Sequence, residues 1–175
     1  ELKQHDKACF VTLTYSPEYN PIVCQKKPLQ DFIKRLRKAI APAKIKYFAC
    51  GEYGEHTKRP HYHIVIFGYD FADKVQIGRS KKGHAIYISA ELSKLWTYGI
   101  HTIQDVSLAT VVYSALYSAK ARKALPVHLQ AFPEFNLMSL GLGVDAIKKD
   151  LDHYMITVQI YIEGKAYAIP DAVLK

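Results

Sequence analysis

Residues 61–67 read His-Tyr-His-Ile-Val-Ile-Phe, with imidazoles at the first and third positions and four apolar side chains after them. Successive side chains of an extended strand point to opposite faces, so His61 and His63 share one face and Tyr62 and Ile64 the other. A strand that is apolar on both faces from residue 64 onward needs cover on each side, which places it inside a sheet. Such a rigid, buried strand holds the two imidazoles close enough to chelate one ion.

The rest of the chain supplies partners for that strand. Residues 8–15 alternate Phe10, Thr12 and Thr14 against Val11, Leu13 and Tyr15, a period of two that Ser16-Pro17 ends. Residues 44–50 form another strand, joined to 61–67 by Gly51-Glu-Tyr-Gly54 and a polar loop that ends at Arg59-Pro60, so the two are expected to pair as neighbours. Residues 28–41 place Leu29, Phe32, Ile33, Leu36 and Ile40 at helical spacing, with Lys34, Arg35, Arg37 and Lys38 on the remaining surface. Residues 68–83 read as a basic, irregular connection containing Arg79, Lys81 and Lys82, either a DNA-contacting loop or a solvated one. Ser89 is an N-cap for a helix through Trp96, closed by Gly99.

Residues 101–106 alternate again as a short strand, and Ser107 or Leu108 opens a helix that carries Tyr113, Tyr117 and Lys120. Near the end, residues 156–162 and 165–169 flank Glu163-Gly164, which predicts a β-hairpin. The whole reads as one α+β domain over residues 1–175, a length that buries most of its apolar surface as a single unit.

Charge and aromatic content narrow the partners. An excess of 24 Lys and Arg over 16 Asp and Glu gives a formal charge of +8, which favours an anionic partner, nucleic acid or an acidic membrane surface. Thirteen Tyr and seven Phe tilt the choice toward nucleic acid, because aromatic faces stack on unpaired bases. Cys9, Cys24 and Cys50 are odd in number and form no C-x-x-C pair, so neither a disulfide framework nor a zinc cluster is indicated. With no apolar leader and no run approaching the roughly 18 apolar residues a bilayer span needs, the expectation is a soluble, intracellular protein that does not enter a membrane.

Two short patterns carry the chemistry. Eight His predict on the order of 0.4 His-x-His pairs by chance, so His61 and His63 gain weight only from their place on a buried strand. A third ligand is needed, and Glu52 stands at the end of the neighbouring strand, with Glu55 and His56 as rivals. Tyr113 and Tyr117 are four apart in an Ala- and Ser-rich stretch, with Lys120 at the next turn, so both hydroxyls and the ammonium can share a helix face. Composition alone predicts roughly one Tyr-x-x-x-Tyr pair, and the competing reading is tyrosines used for packing. Tyr15 and Tyr19 have the same spacing but straddle Pro17 and cannot share a helix face.

In order along the chain, Phe10-Val-Thr-Leu-Thr-Tyr15, Phe32-Ile-Lys-Arg-Leu-Arg37, Cys50-Gly-Glu-Tyr-Gly54, Arg59-Pro-His-Tyr-His63 with Phe67-Gly68, and the Tyr-x-x-x-Tyr-x-x-Lys helix resemble the HUH replication initiators of small single-stranded DNA phages, specifically the gokushovirus type of microvirus. Leu95-Trp96 before Gly99, and Pro133-Glu-Phe135 with Ser139, agree with that resemblance. The chain departs from the pattern in lacking the Cys-rich segment upstream of the first strand, which makes a truncated or divergent N-terminus the expectation. It also reads Leu140-Gly-Leu-Gly143 where the family has Pro-Gly-Ile-Gly.

The resemblance implies a central antiparallel sheet with flanking helices, the ferredoxin- or RRM-like HUH endonuclease fold. It also implies rolling-circle replication initiation by a metal-dependent nick of single-stranded DNA at an origin. Tyr113 and Tyr117 would be the nucleophiles, Lys120 would pair with phosphate or the leaving oxygen, and His61, His63 and Glu52 would hold Mg²⁺ or Mn²⁺. A tyrosine is mostly protonated at neutral pH, and the family relies on the ion to polarise the phosphate. Two imidazoles and a carboxylate also suit zinc and other transition metals, so the residues leave the ion open. The expected partner is single-stranded origin DNA in the host bacterial cytoplasm, and host replication proteins stay open as further partners. A single-tyrosine HUH transposase or relaxase, and a non-catalytic nucleic-acid-binding domain, are the alternatives.

Overall fold

The computed structural model describes residues 2–54, 57–107, 125–144, 148, 159–162 and 165–168. Seven strands form one antiparallel sheet: β1 (Ala8–Tyr15), β2 (Lys46–Tyr53), β3 (Pro60–Phe67), β4 (Val75–Arg79), β5 (Ala85–Ile88), β6 (Gly99–Asp105) and β7 (Phe135–Met138). Their spatial order is β4-β5-β6-β1-β3-β2-β7. A separate antiparallel pair, β8 (Gln159–Ile162) with β9 (Lys165–Ala168), is the hairpin expected near the C-terminus. The fold is therefore α+β with an antiparallel sheet, as expected.

Helix α1 (Lys26–Ala39) follows the apolar spacing of its sequence, burying Leu29, Phe32, Ile33 and Leu36. Pro28 is tolerated in the first turn, where backbone N–H groups lack helical partners anyway. Arg37 and Lys38 in the last turn complement the negative end of the helix dipole. The buried side chains of α1 and of α2 (Ala90–Leu95) meet Val11, Leu13, Tyr62, Ile64, Ile66 and Ile103 in one core. Trp96 lies in that core, and its indole N–H donates to the Thr14 carbonyl at 3.2 Å. Both helices thus cover the same sheet face. On the opposite face Phe10, Val65 and Phe67 form a second, smaller cluster.

Register explains how a single strand serves both layers. Thr12 stands opposite His63 on β3 and opposite Thr102 on β6, while Val11 stands opposite Ile64 and Ile103. Odd and even positions of β1 therefore separate the helix-covered core from the face that carries the histidines. Gly99, at φ 153°, lets β6 start against β1, because a Cβ there would lie 2.2 Å from the Ser16 nitrogen.

Three boundaries differ from the sequence reading. Strand β2 runs on to Tyr53, so Glu52 sits inside a strand rather than at its end. The stretch 68–83 is not wholly irregular: it contains β4, whose five residues are all exposed and so lack the alternation that marks a half-buried strand. Residues 85–88, which the sequence left unassigned, pair with it as β5. All three cysteines are free and buried, as expected of core thiols, and burial pushes Cys24 and Cys50 up to about 12. Among the described residues no helix is long and apolar enough to cross a membrane.

Candidate metal centre

Glu52 and His61 are direct partners across β2 and β3, and His63 pairs with Cys50 one step along the same ladder. Period-two geometry then sets all three side chains on the face away from the helices. One ligand atom from each of Glu52, His61 and His63 lies within 4.8 Å of the others. Glu52 Oε1 is 2.7 Å from His61 Nε2 and 3.1 Å from His63 Nε2. Glu55 and His56, the rival ligands, lie outside the described residues, as do Tyr113, Tyr117 and Lys120.

The far nitrogen of each ring is also engaged. His61 Nδ1 donates to the Arg59 carbonyl at 3.2 Å, and His63 Nδ1 lies 3.0 Å from Thr12 Oγ1. Contacts of this kind orient a metal-binding imidazole and keep its other nitrogen for the ion. Phe10 stacks on the His63 ring at 5.5 Å between centroids, nearly parallel, which fixes its plane. The two imidazole rings themselves meet edge to face at 5.0 Å.

Protonation follows from these contacts. Burial opposes charge on Glu52, but hydrogen bonds from His61 and His63 outweigh it and hold the carboxyl at about 2. Burial likewise lowers His61, yet the Glu52 hydrogen bond and charge, with the Arg59 carbonyl, raise it above the ordinary histidine value. His61 faces acceptors at both nitrogens, a carbonyl and a carboxylate. It therefore carries two protons or exchanges one for a cation. A buried carboxylate with two converging Nε2 atoms is a donor set that fits a divalent ion.

Sequence reasoning missed the residues behind the three ligands. Gly51 precedes Glu52, and a Cβ there would lie 2.6 Å from the Phe135 ring. Tyr53 follows Glu52; its hydroxyl donates to the Phe132 carbonyl and accepts from the Cys24 N–H, both at 2.9 Å. Glu134 Oε1 accepts the Tyr53 backbone N–H at 3.2 Å. The segment 132–135 therefore clamps both neighbours of Glu52 and adds a second carboxylate near the centre. Its mark in the sequence was Pro133-Glu-Phe135, a motif without an assigned task. Thr12 was visible only as one polar residue in an alternating strand.

Comparison with known proteins adds an independent finding. The family model for the phage replication-associated protein ORF2 matches residues 8–122. The chain is 37% identical to the replication-associated protein ORF2 of Spiroplasma virus 4, over 82% of this chain and 48% of that protein. It is 34% identical to the replication-associated protein VP4 of Bdellovibrio phage phiMH2K, over 69% of this chain and 41% of that protein. It is 25% identical to the replication-associated protein ORF4 of Chlamydia phage 1, over 97% of this chain and 46% of that protein. The chain thus spans less than half the length of each of these relatives. No solved structure matches it. With a family match that runs from the first residue of β1 past the end of β6, the chain belongs to the replication-associated protein ORF2 family.

Proposed function

We propose that this chain is a single HUH-type endonuclease domain that initiates rolling-circle replication of a small phage genome, nicking single-stranded DNA at the origin in the cytoplasm of a bacterial host. The observation that carries the reading is the convergence of Glu52, His61 and His63 within 4.8 Å in a chain of this family. The relatives' names speak of replication, and the basic, tyrosine-rich composition suits a DNA partner.

In this reading Glu52, His61 and His63 hold one Mg²⁺ or Mn²⁺. The ion supplies Lewis-acid polarisation of the scissile phosphate. The chain's own residues supply the covalent step. The hydroxyl of Tyr113 or Tyr117 attacks phosphorus and gives up its proton. A tyrosyl O–P bond forms, the P–O3′ bond breaks, and the leaving 3′-oxygen takes a proton. The products are a 5′-phosphotyrosine and a free 3′-hydroxyl. Lys120 neutralises charge on the phosphate or the leaving oxygen. Because the covalent link preserves the phosphodiester's energy, a later 3′-hydroxyl can attack it and rejoin the strand, and two tyrosines permit alternate rounds.

The test is a denaturing-gel assay with a pool of single-stranded DNAs, run with Mn²⁺, Mg²⁺ or chelator. A protein–DNA adduct that needs metal, and is lost in the Tyr113→Phe/Tyr117→Phe double variant while DNA binding persists, is the expected result. An adduct that survives in that variant places the nucleophile elsewhere. DNA binding without an adduct under any metal makes the chain a non-catalytic binding domain.

A further inference from the structure

The antiparallel ribbon of β4 and β5 is the most exposed feature of the sheet, and the metal centre does not use it. Between Lys74 and Glu91 the sequence holds no acidic residue, while Arg79, Lys81, Lys82 and His84 fall within six positions at the turn. All four are exposed, as is every residue of β4. The ribbon touches β6 through one bridged pair, Tyr87 with Ile103. Side chains added at Gly78 and Gly83 would meet nothing within 4 Å. The tip therefore stands clear of the fold.

It is also built to hold its shape. Ser80 N–H donates to the His84 carbonyl at 2.7 Å, Gly83 N–H to the Ser80 carbonyl at 2.8 Å, and His84 N–H to Ser80 Oγ at 3.1 Å. Arg79 Nη1 donates to the Gly83 carbonyl at 2.8 Å, and a bulge lies between Gln76 and Gly78. At the base, Lys74 binds Asp70 at 2.6 Å and Asp105 at 3.0 Å, and its ammonium lies 4.8 Å from the Tyr87 ring centroid. The acidic groups near the ribbon are thus neutralised at its root. The cations at its tip, Lys81 and Lys82, have no ion pair among the described residues.

We propose that the β4–β5 ribbon is a duplex-DNA grip, its cationic turn entering a groove and pairing with phosphates on both walls. A two-stranded ribbon fits the major groove, about 12 Å wide, and five residues of strand reach about 16 Å. A single strand fits less well, because such surfaces use exposed aromatic platforms. Tyr87 is the ribbon's one Tyr, Phe or Trp, and its hydroxyl and ring face are taken up by Asp105 and Lys74. An anionic membrane fits less well too, since Val75, Ile77 and Ile88 lie on the stalk and the tip from Ser80 to His84 carries no apolar side chain. The ribbon's edge lies four strand spacings from β3, about 19 Å along the sheet. The grip is therefore a contact distinct from the metal centre and does not depend on nicking.

The test is fluorescence anisotropy on the 175-residue chain in chelator, where no cleavage is needed, with a 20-base-pair duplex and a 20-nucleotide single strand as separate probes. The variants are Lys81→Gln/Lys82→Gln, Lys82→Glu alone, and Lys34→Gln/Lys38→Gln on α1, which removes equal charge elsewhere. The ribbon double variant is expected to lose about tenfold in duplex affinity at low salt. Its log–log salt slope should fall by about two, the share of two phosphate contacts. Lys82→Glu should weaken duplex binding in the same direction, while the α1 variant and all single-strand affinities stay within about twofold of the parent. Unchanged duplex binding in both ribbon variants overturns the proposal, and so does an equal loss on the single strand or an equal loss in the α1 variant.

Discussion

At the residue scale, His61 determines how the centre responds to pH. Its folded pKa is raised, chiefly by Glu52 against the opposing effect of burial. Proton and metal compete for Nε2, so competition begins at a higher pH than for an ordinary histidine. Mn²⁺ affinity should be flat above that raised value and fall up to about tenfold per pH unit below it. Calorimetric titration from pH 8 to 5.5 checks this, and affinity that rises on acidification would contradict it. Glu134 gives a second expectation. Glu134→Gln keeps an acceptor for the Tyr53 N–H and removes the charge, so Mn²⁺ affinity should drop about tenfold, as outer-shell changes do. The thermal midpoint of the metal-free protein should not move. His61 and His63 were legible because two residues on one strand share a face by local geometry alone. Glu134 was not, because its contact spans 81 residues and depends on how β7 docks.

Among the elements, α2 and its flanks show how one polar cluster ties the outer strands to the core. Ser89 Oγ accepts the Leu92 N–H at 3.0 Å and donates to Asp73, whose other oxygen accepts the Glu91 N–H at 2.9 Å. Ser89→Ala removes this cap and should cost about 1–2 kcal/mol, seen as a lower urea midpoint with an unchanged m-value. Beside it, His101 is buried, and its Nε2 accepts the Ser89 N–H at 3.2 Å, which requires the neutral ring. Burial lowers its folded pKa below the ordinary value. The unfolded chain then binds the proton first, so stability from this residue is full above about pH 6.5 and declines as pH falls below it. The urea midpoint should therefore drop less between pH 7.5 and 5.5 in His101→Gln than in the parent. The Ser89 cap was readable from its position before an apolar stripe. Strand β4 was not, because an edge strand exposed throughout has no buried face to impose a period on its sequence.

Across the whole molecule, the sequence order of most strands was readable while their spatial order was not. Local periodicity marks β1 and β3, but nothing local places β1 between β3 and β6 or brings β7 beside β2. That non-local order sets Thr12 against His63 and Phe135 against Gly51, and so completes the centre. A ligand that binds only the folded chain stabilises it by about 2.7 kcal/mol at a hundredfold excess over Kd. Mn²⁺ should thus raise the thermal midpoint of the parent and leave that of His61→Ala/His63→Ala unchanged. The decisive measurement is mass spectrometry of the protein–DNA product formed with Mn²⁺ and single-stranded DNA. The account predicts a nucleotide bonded to Tyr113 or Tyr117 in the tryptic peptide 95–120, absent in chelator and in Glu52→Ala. A nucleotide on any other residue, or an equal yield in chelator, would contradict it.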